Sequence, residues 1–280
     1  MTSIHEIQEA QRKSWDAFAP GWKKHDAFMM QKLKPVGDVL LEAVKLQEGY
    51  RVLDIATGTG EPGITAAARV GSGNVIGTDL SQEMVKIAEE HARKRGIANY
   101  SAEVADATRL PFNENTFDAV MCRFGIMFFP DPAAAVQEMA RVVKPGKTIA
   151  LSAWASPQKN PWVTVIGGIV NRKLNIAPPT ADTPQVFKFA EHEKLSGLFK
   201  EADLKQVSVT EQEGITAFEN PEQYWEIMTE IAAPIAMALR SADDDMLAEI
   251  REAVITAAQH YARNGRLEFQ YSAWIASGIK

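Results

Sequence analysis

The chain has 280 residues and a formal net charge of −6. That length buries a full core with room beyond a cofactor-sized domain, and the acidic balance argues against nucleic acid as a partner. The single cysteine, Cys122, excludes an internal disulfide and any multi-cysteine metal site.

Residues 3–46 read as helical, with breaks expected at Pro20-Gly21 and Pro35-Val36-Gly37. Trp15, Phe18 and Trp22 share one helix face. Lys23, Lys24, Lys32 and Lys34 read as a solvated helix face. Residues 51–153 then alternate strand and helix, with strands near 51–56, 74–79, 100–105, 116–122 and 147–153. Helices are expected near 61–70, 81–95 and 132–143. Such alternation implies right-handed crossovers and a parallel sheet, with the ligand at the carboxyl ends of the strands. After Trp154 the pattern changes, and residues 155–190 hold five prolines and an apolar helix-like run over 162–170. A helix over 191–202 and a strand over 205–212 resume the main fold. Residues 221–262 read as two or three helices, and Leu267 to Ile279 alternates as a strand. No run of about 18 uncharged apolar residues occurs, so no membrane span is expected. The first residues carry Glu6, Glu9 and Asp16 and no apolar signal core, so a cytoplasmic protein is expected.

The decisive stretch is Val52-Leu53-Asp54-Ile55-Ala56-Thr57-Gly58-Thr59-Gly60-Glu61-Pro62-Gly63, followed by a second apolar run ending at Asp79. Glycines at a strand-to-helix turn let backbone approach a ligand, and an acid ending the next strand can accept both hydroxyls of a ribose. The unit therefore suits an adenosine-containing cofactor. Gly58-x-Gly60-x-x-Gly63 formally matches a dinucleotide fingerprint. Asp54, at the strand end, has no use beside a pyrophosphate and suits a cofactor with sulfonium and ammonium charges.

The chain resembles the class I S-adenosylmethionine (SAM)-dependent methyltransferases, in their small-molecule, quinone-methyltransferase-like branch. Val52 to Gly60 resembles the first motif, Thr78-Asp79-Leu80-Ser81 the second-strand motif and Ala105-Asp106-Ala107 the adenine-recognition motif. Phe117-Asp118-Ala119-Val120 resembles the fourth strand and Arg141 to Gly146 the turn into the fifth. Two positions depart from the pattern: Ala56 stands where glycine is frequent, and Lys147 follows Pro145-Gly146 in place of a second glycine.

The resemblance implies an α/β, Rossmann-like doubly wound sheet of seven strands in the order 3-2-1-4-5-7-6, the last antiparallel, with helical cap insertions. It divides the chain into a helical lid at 1–46, a SAM-binding core at 47–153, cap segments at 154–190 and 214–262, and the rest of the sheet at 191–213 and 263–280. It implies SAM as cofactor, S-adenosylhomocysteine as product and a small apolar or aromatic methyl acceptor at oxygen, nitrogen or carbon. Cofactor-binding positions would be Asp54, Ala56, Thr57, Gly58, Gly60, Asp79, Leu80, Met84, Asp106, Ala107 and Arg123. Asp54 would orient the turn and face the ammonium, Asp79 the ribose and Asp106 the adenine amino group. Leu80 and Met84 serve equally as adenine walls or as core, and for Asp106 the alternative to adenine recognition is a turn-forming role. Arg123 either holds the methionine end or an anionic substrate, or forms a salt bridge to Asp54 or Asp118.

Trp22, Phe124, Met127 and Trp154 are the expected substrate-pocket residues. Of the five histidines, His91 reads as solvated and His25 is the candidate base, since the N-terminal segment of related enzymes closes over the cofactor. No metal is expected. The oligomeric state stays open between monomer and homodimer. A protein-directed methyltransferase or non-catalytic SAM-binding regulator is the alternative function. An NAD-dependent oxidoreductase would need a Tyr-x-x-x-Lys or similar pair, and none occurs. The Asn-Asp-x-Met-Ser segment of the menaquinone and ubiquinone C-methyltransferases is also missing.

Overall fold

The structure is a computed structural model and describes residues 3–177, 180 and 183–280, so Pro178 and Pro179 lie outside the described residues. Two helices, α1 (Ile4–Lys24) and α2 (Asp26–Ala43), precede the sheet. Then come β1 (Arg51–Ile55), α3 (Gly63–Val70), β2 (Asn74–Asp79), α4 (Gln82–Lys94), β3 (Tyr100–Val104) and β4 (Phe117–Arg123). α5 (Pro132–Val142), β5 (Val143–Trp154), α6 (Pro161–Lys173), α7 (His192–Glu201) and β6 (Lys205–Phe218) follow. The chain closes with α8 (Pro221–Ile231), α9 (Ala233–Leu239), α10 (Asp244–Gln259), β7 (Ala262–Arg263) and β8 (Arg266–Ile279).

The strand order is β3-β2-β1-β4-β5-β8-β6, with β7 paired only to β8. β8 runs antiparallel to both neighbours, while β1 to β5 pair in parallel. The expected order therefore holds, with the two-residue β7 raising the strand count to eight. That extra strand is a hairpin return: Asn264 and Gly265 both take positive φ, and Ala262 pairs with Leu267. The strand expected over 205–212 runs on to Phe218 because its far half pairs with the start of β8, Phe218 opposite Leu267. The central strands are buried on both faces, with Ala119 to Cys122 of β4 fully enclosed, as parallel strands between helical layers must be.

The helical breaks fall elsewhere than expected. Pro20 lies within α1 and Pro35 within α2, and the chain turns at His25. α1 packs between α4 and α8, and this packing holds Pro20 in a helix that local propensity would break. Gly21 serves that packing, since a Cβ on it would lie 2.2 Å from the Glu230 carbonyl oxygen on α8.

Candidate active site

The carboxyl ends of β1, β2 and β4 meet at the glycine-rich turn. β1 ends at Ile55, and Ala56 (φ 53°) and Gly58 (φ 56°) both enter the left-handed region. The family's glycine at the Ala56 position is thereby explained: an alanine there costs roughly 1 kcal/mol of backbone strain. Its methyl group is accommodated by Gly125, where a Cβ would come within 2.4 Å of the Ala56 Cβ. A Cβ on Gly58 would meet nothing within 4 Å. The space beside Gly58 is thus open to a ligand.

Asp54 is fully buried beneath this turn. Its Oδ2 accepts from the Thr57 hydroxyl at 2.7 Å and the Gly63 N–H at 3.0 Å. Gly63 is required, because a Cβ there would sit 2.6 Å from Oδ2. Among the described residues Asp54 Oδ1 has no hydrogen-bond partner. Burial pushes this carboxyl up to about 7, against the opposing pull of the Thr57 hydroxyl, the Arg123 charge and the Gly63 N–H. Tyr100, at the start of β3, reaches Thr57 Oγ1 with its hydroxyl at 3.0 Å and fixes that side chain from beneath. Gly77 on β2 leaves the room for it, since a Cβ would lie 2.3 Å from the Tyr100 hydroxyl. No sequence motif marks Tyr100; it lies 43 residues from Thr57 along the chain.

Asp79, at the end of β2, accepts from the Gly58 N–H and the Ser81 N–H, each at 2.9 Å. Burial pushes its carboxyl up to about 6 despite those bonds. Leu80 is half-buried beside it. Met84 packs with Ile87 against Ala19 of α1, so the core role of Met84 is realised. Asp16 of α1 accepts from the Ser81 hydroxyl at 2.6 Å and the Glu83 N–H at 3.3 Å, pinning α1 to the start of α4. Asp106 forms its own turn, both carboxylate oxygens accepting from Thr108 at 2.8 Å, and Ala107 beside it is buried.

Arg123 ends β4 and forms neither of the expected salt bridges. Asp118 is taken by Lys144 at 2.9 Å, and Asp54 lies beyond ion-pair distance. Among the described residues the one partner of the guanidinium is the Met30 sulfur at 3.2 Å. Burial lowers the Arg123 pKa, while Asp54, Glu61 and Asp26 act on it as the nearby negative charges. Asp26 Oδ1 is, like Asp54 Oδ1, buried without a partner. Among the described residues, a cation without an ion pair and two carboxylates with an unpartnered oxygen thus lie near the turn, Asp26 Oδ2 standing 3.7 Å from His91 Nδ1.

Phe124 (φ 61°) stacks on Trp154 at 3.9 Å between ring centroids. Met127 is fully buried, its sulfur accepting from the Trp154 N–H at 3.3 Å. Trp22 donates from its indole N–H to the Ile231 carbonyl at 3.1 Å, anchoring α1 to α8. His25 is likewise engaged by α8, with Nε2 2.7 Å from Glu230 Oε2. His25, Glu226 and Glu230 bring metal-capable atoms within 4.8 Å of one another, but the Lys24 ammonium already bridges the two glutamates. His91, expected in solvent, instead brings Nδ1 to 3.0 Å from the Thr59 carbonyl of the glycine-rich turn.

Residues 52–146 match a family model described as a methyltransferase domain. A ubiquinone/menaquinone biosynthesis C-methyltransferase of Proteus mirabilis is 31% identical over 185 residues, covering 62% of this chain and 74% of that protein. The chain belongs to the class I SAM-dependent methyltransferases. An uncharacterised protein of Mycobacterium tuberculosis (strain H37Rv) is 27% identical over 259 residues, covering 89% of this chain and 90% of its own. The solved structure of the YcgJ protein of Bacillus subtilis shares the fold at a TM-score of 0.57 and 22% identity, covering 87% of this chain and 97% of that one. As a SAM-dependent methyltransferase, the protein places its glycine-rich turn, Asp79 and Arg123 at the strand ends where this fold holds ligands. No helix among the described residues is long and apolar enough to cross a membrane.

Proposed function

We propose that this enzyme binds SAM across the ends of β1, β2 and β4 and transfers its methyl group to a small apolar or aromatic acceptor. The observation that carries the reading is the pair of unsatisfied, opposite charges at the turn: Asp54 Oδ1 without a partner and Arg123 without an ion pair among the described residues. An amino-acid head group offers an ammonium for the first and a carboxylate for the second. Asp79 accepts two backbone N–H bonds, and its oxygens retain lone pairs for a ribose diol. The open space beside Gly58 lets the turn lie against the ligand backbone to backbone. Asp106 and Ala107 would border the adenine, with Leu80 on its face.

Bound there, SAM supplies a methyl group already activated by the sulfonium. The chain then needs to hold the acceptor in line and exclude water, and positioning of this kind contributes about 7–11 kcal/mol. Phe124 and Trp154 would form the wall between cofactor and acceptor. α1, fastened by Asp16 and Trp22, would serve as the lid. His25 is held by Glu230, and methyl transfer by positioning asks no base of it. The quinone C-methylation named for the Proteus mirabilis relative supports an aromatic acceptor.

The test is a thermal-shift series followed by transfer of labelled methyl from SAM to a panel of phenols, amines and quinones. SAM and S-adenosylhomocysteine should raise the melting temperature and NAD should not. Asp79→Ala should remove the shift in a folded protein. Stabilisation by NAD with none by SAM would overturn the reading.

A further inference from the structure

A tight turn presents its backbone to a ligand only if its peptide planes are held, and one hold on the glycine-rich turn comes from outside it. The Thr57 side chain is fixed by Asp54 and Tyr100, and the Gly60 N–H donates to the Thr57 carbonyl at 2.9 Å. The peptide joining Thr59 to Gly60 is thus tied at its N–H end within the turn. At its other end the Thr59 carbonyl lies 3.0 Å from His91 Nδ1 on α4. A carbonyl can only accept, so Nδ1 carries the proton in this contact. α4 comes this close because Gly60 has no side chain; a Cβ there would lie 3.3 Å from the Cα of Ala88, three residues before His91.

The same nitrogen faces the N-terminal helices. Asp26, the first residue of α2, brings Oδ2 to 3.7 Å from His91 Nδ1, and both side chains are mostly buried. Lys23, near the end of α1, pairs with Glu90 at 2.6 Å. The turn at His25 is therefore seated on Glu90 and His91 of α4 on one side and on Glu230 of α8 on the other. Of these three partners, His91 is the one that also bonds the glycine-rich turn.

We propose that His91 is a positioning residue for the methyl-transfer site: one imidazole sets the Thr59–Gly60 peptide and seats the α1–α2 turn, so that cofactor binding and lid closure reinforce each other. The inference rests on the cofactor reading and adds the residue through which bound cofactor reaches the lid. Such coupling is reciprocal. Whatever the seated lid adds to cofactor affinity, bound cofactor returns as protection of the lid. An Asn side chain carries an N–H where the imidazole has Nδ1–H, whereas Leu fills the space without a donor.

The test uses the full-length protein and S-adenosylhomocysteine, with calorimetry for affinity and hydrogen exchange over residues 20–30 for the lid. In the wild type, saturating ligand should slow that exchange about fivefold or more. His91→Leu should weaken binding about tenfold and, at saturation, lose most of this protection, with exchange in β1 and β4 as in the wild type. His91→Asn should bind within about threefold of wild type and keep the protection. A residue serving packing alone would give neither the uncoupling by Leu nor the rescue by Asn. Exchange unchanged by ligand in the wild type, wild-type affinity or surviving protection in His91→Leu, or an Asn variant as impaired as Leu would each overturn the proposal. Should His91→Leu not fold, the wild-type exchange and His91→Asn decide by the same outcomes. Absence of S-adenosylhomocysteine binding in the wild type would instead overturn the cofactor reading, and is seen separately in the first titration.

Discussion

Asp54 and Asp79 ionise late, at about 7 and about 6 respectively, because each is buried. An ammonium and a ribose diol both favour the ionised carboxylate. SAM affinity should therefore rise with pH from about 5 to about 8, and Asp54→Asn should flatten the part of that rise near pH 7. The sign for stability is opposite. The folded, ligand-free protein holds protons that the unfolded chain has released, so these two groups withdraw stability as pH rises from about 4 to about 7, and no more above that. Calorimetric SAM affinities and ligand-free unfolding free energies at a series of pH values would check the two slopes, and a pH-independent affinity would refute the assignment of Asp54. Asp54 and Asp79 were legible in the sequence because a glycine-rich turn and a strand-ending acid are local patterns. Tyr100 and His91 were not. Their roles arise from partners 32 or more residues away, as for His91 and Thr59, and single-sequence spacing carries no sign of such contacts.

Among the elements, α1 joins the cofactor face to the cap. It is fastened at Asp16 to α4 and at Trp22 and Gly21 to α8. Gly21→Val would drive a side chain into the Glu230 carbonyl and lift α1 from α8. The expected outcome is faster hydrogen exchange over residues 4–24 and turnover reduced about tenfold or more, with the sheet retaining its protection. Unchanged exchange and turnover would show that α1 is no lid. The strands and helices of residues 51–153 were legible because their apolar runs alternate with amphipathic ones. The helix breaks were not, since prolines at 20 and 35 signal interruption locally and are overridden by tertiary packing. β7 escaped notice because two residues are too short for any periodicity.

The whole molecule depends on the two-sided pairing of β8, which joins β5 to β6. Lys280 secures that strand at its far end by donating from Nζ to Asn115 Oδ1 at 2.7 Å and to the Arg141 and Val143 carbonyls at 3.0 Å. Lys280→Ala should lower the free energy of unfolding by about 1–2 kcal/mol in chemical denaturation, with SAM affinity unchanged because the loss is remote from the turn. The strand order was legible through the family resemblance. The aromatic packing around Trp154 was not, because Phe124, Trp162 and Tyr271 come from separate segments and converge on it only on folding.

The central claim is that Asp54 and Arg123 together recognise a zwitterionic amino-acid head. The direct measurement compares the calorimetric affinity of S-adenosylhomocysteine with that of 5′-methylthioadenosine, which keeps the nucleoside and lacks the head group. Wild type should prefer S-adenosylhomocysteine by about 100-fold. Arg123→Met should cost that ligand about 10-fold or more and leave 5′-methylthioadenosine binding unchanged. Equal affinity for the two ligands in the wild type, or equal losses for both in Arg123→Met, would contradict the account.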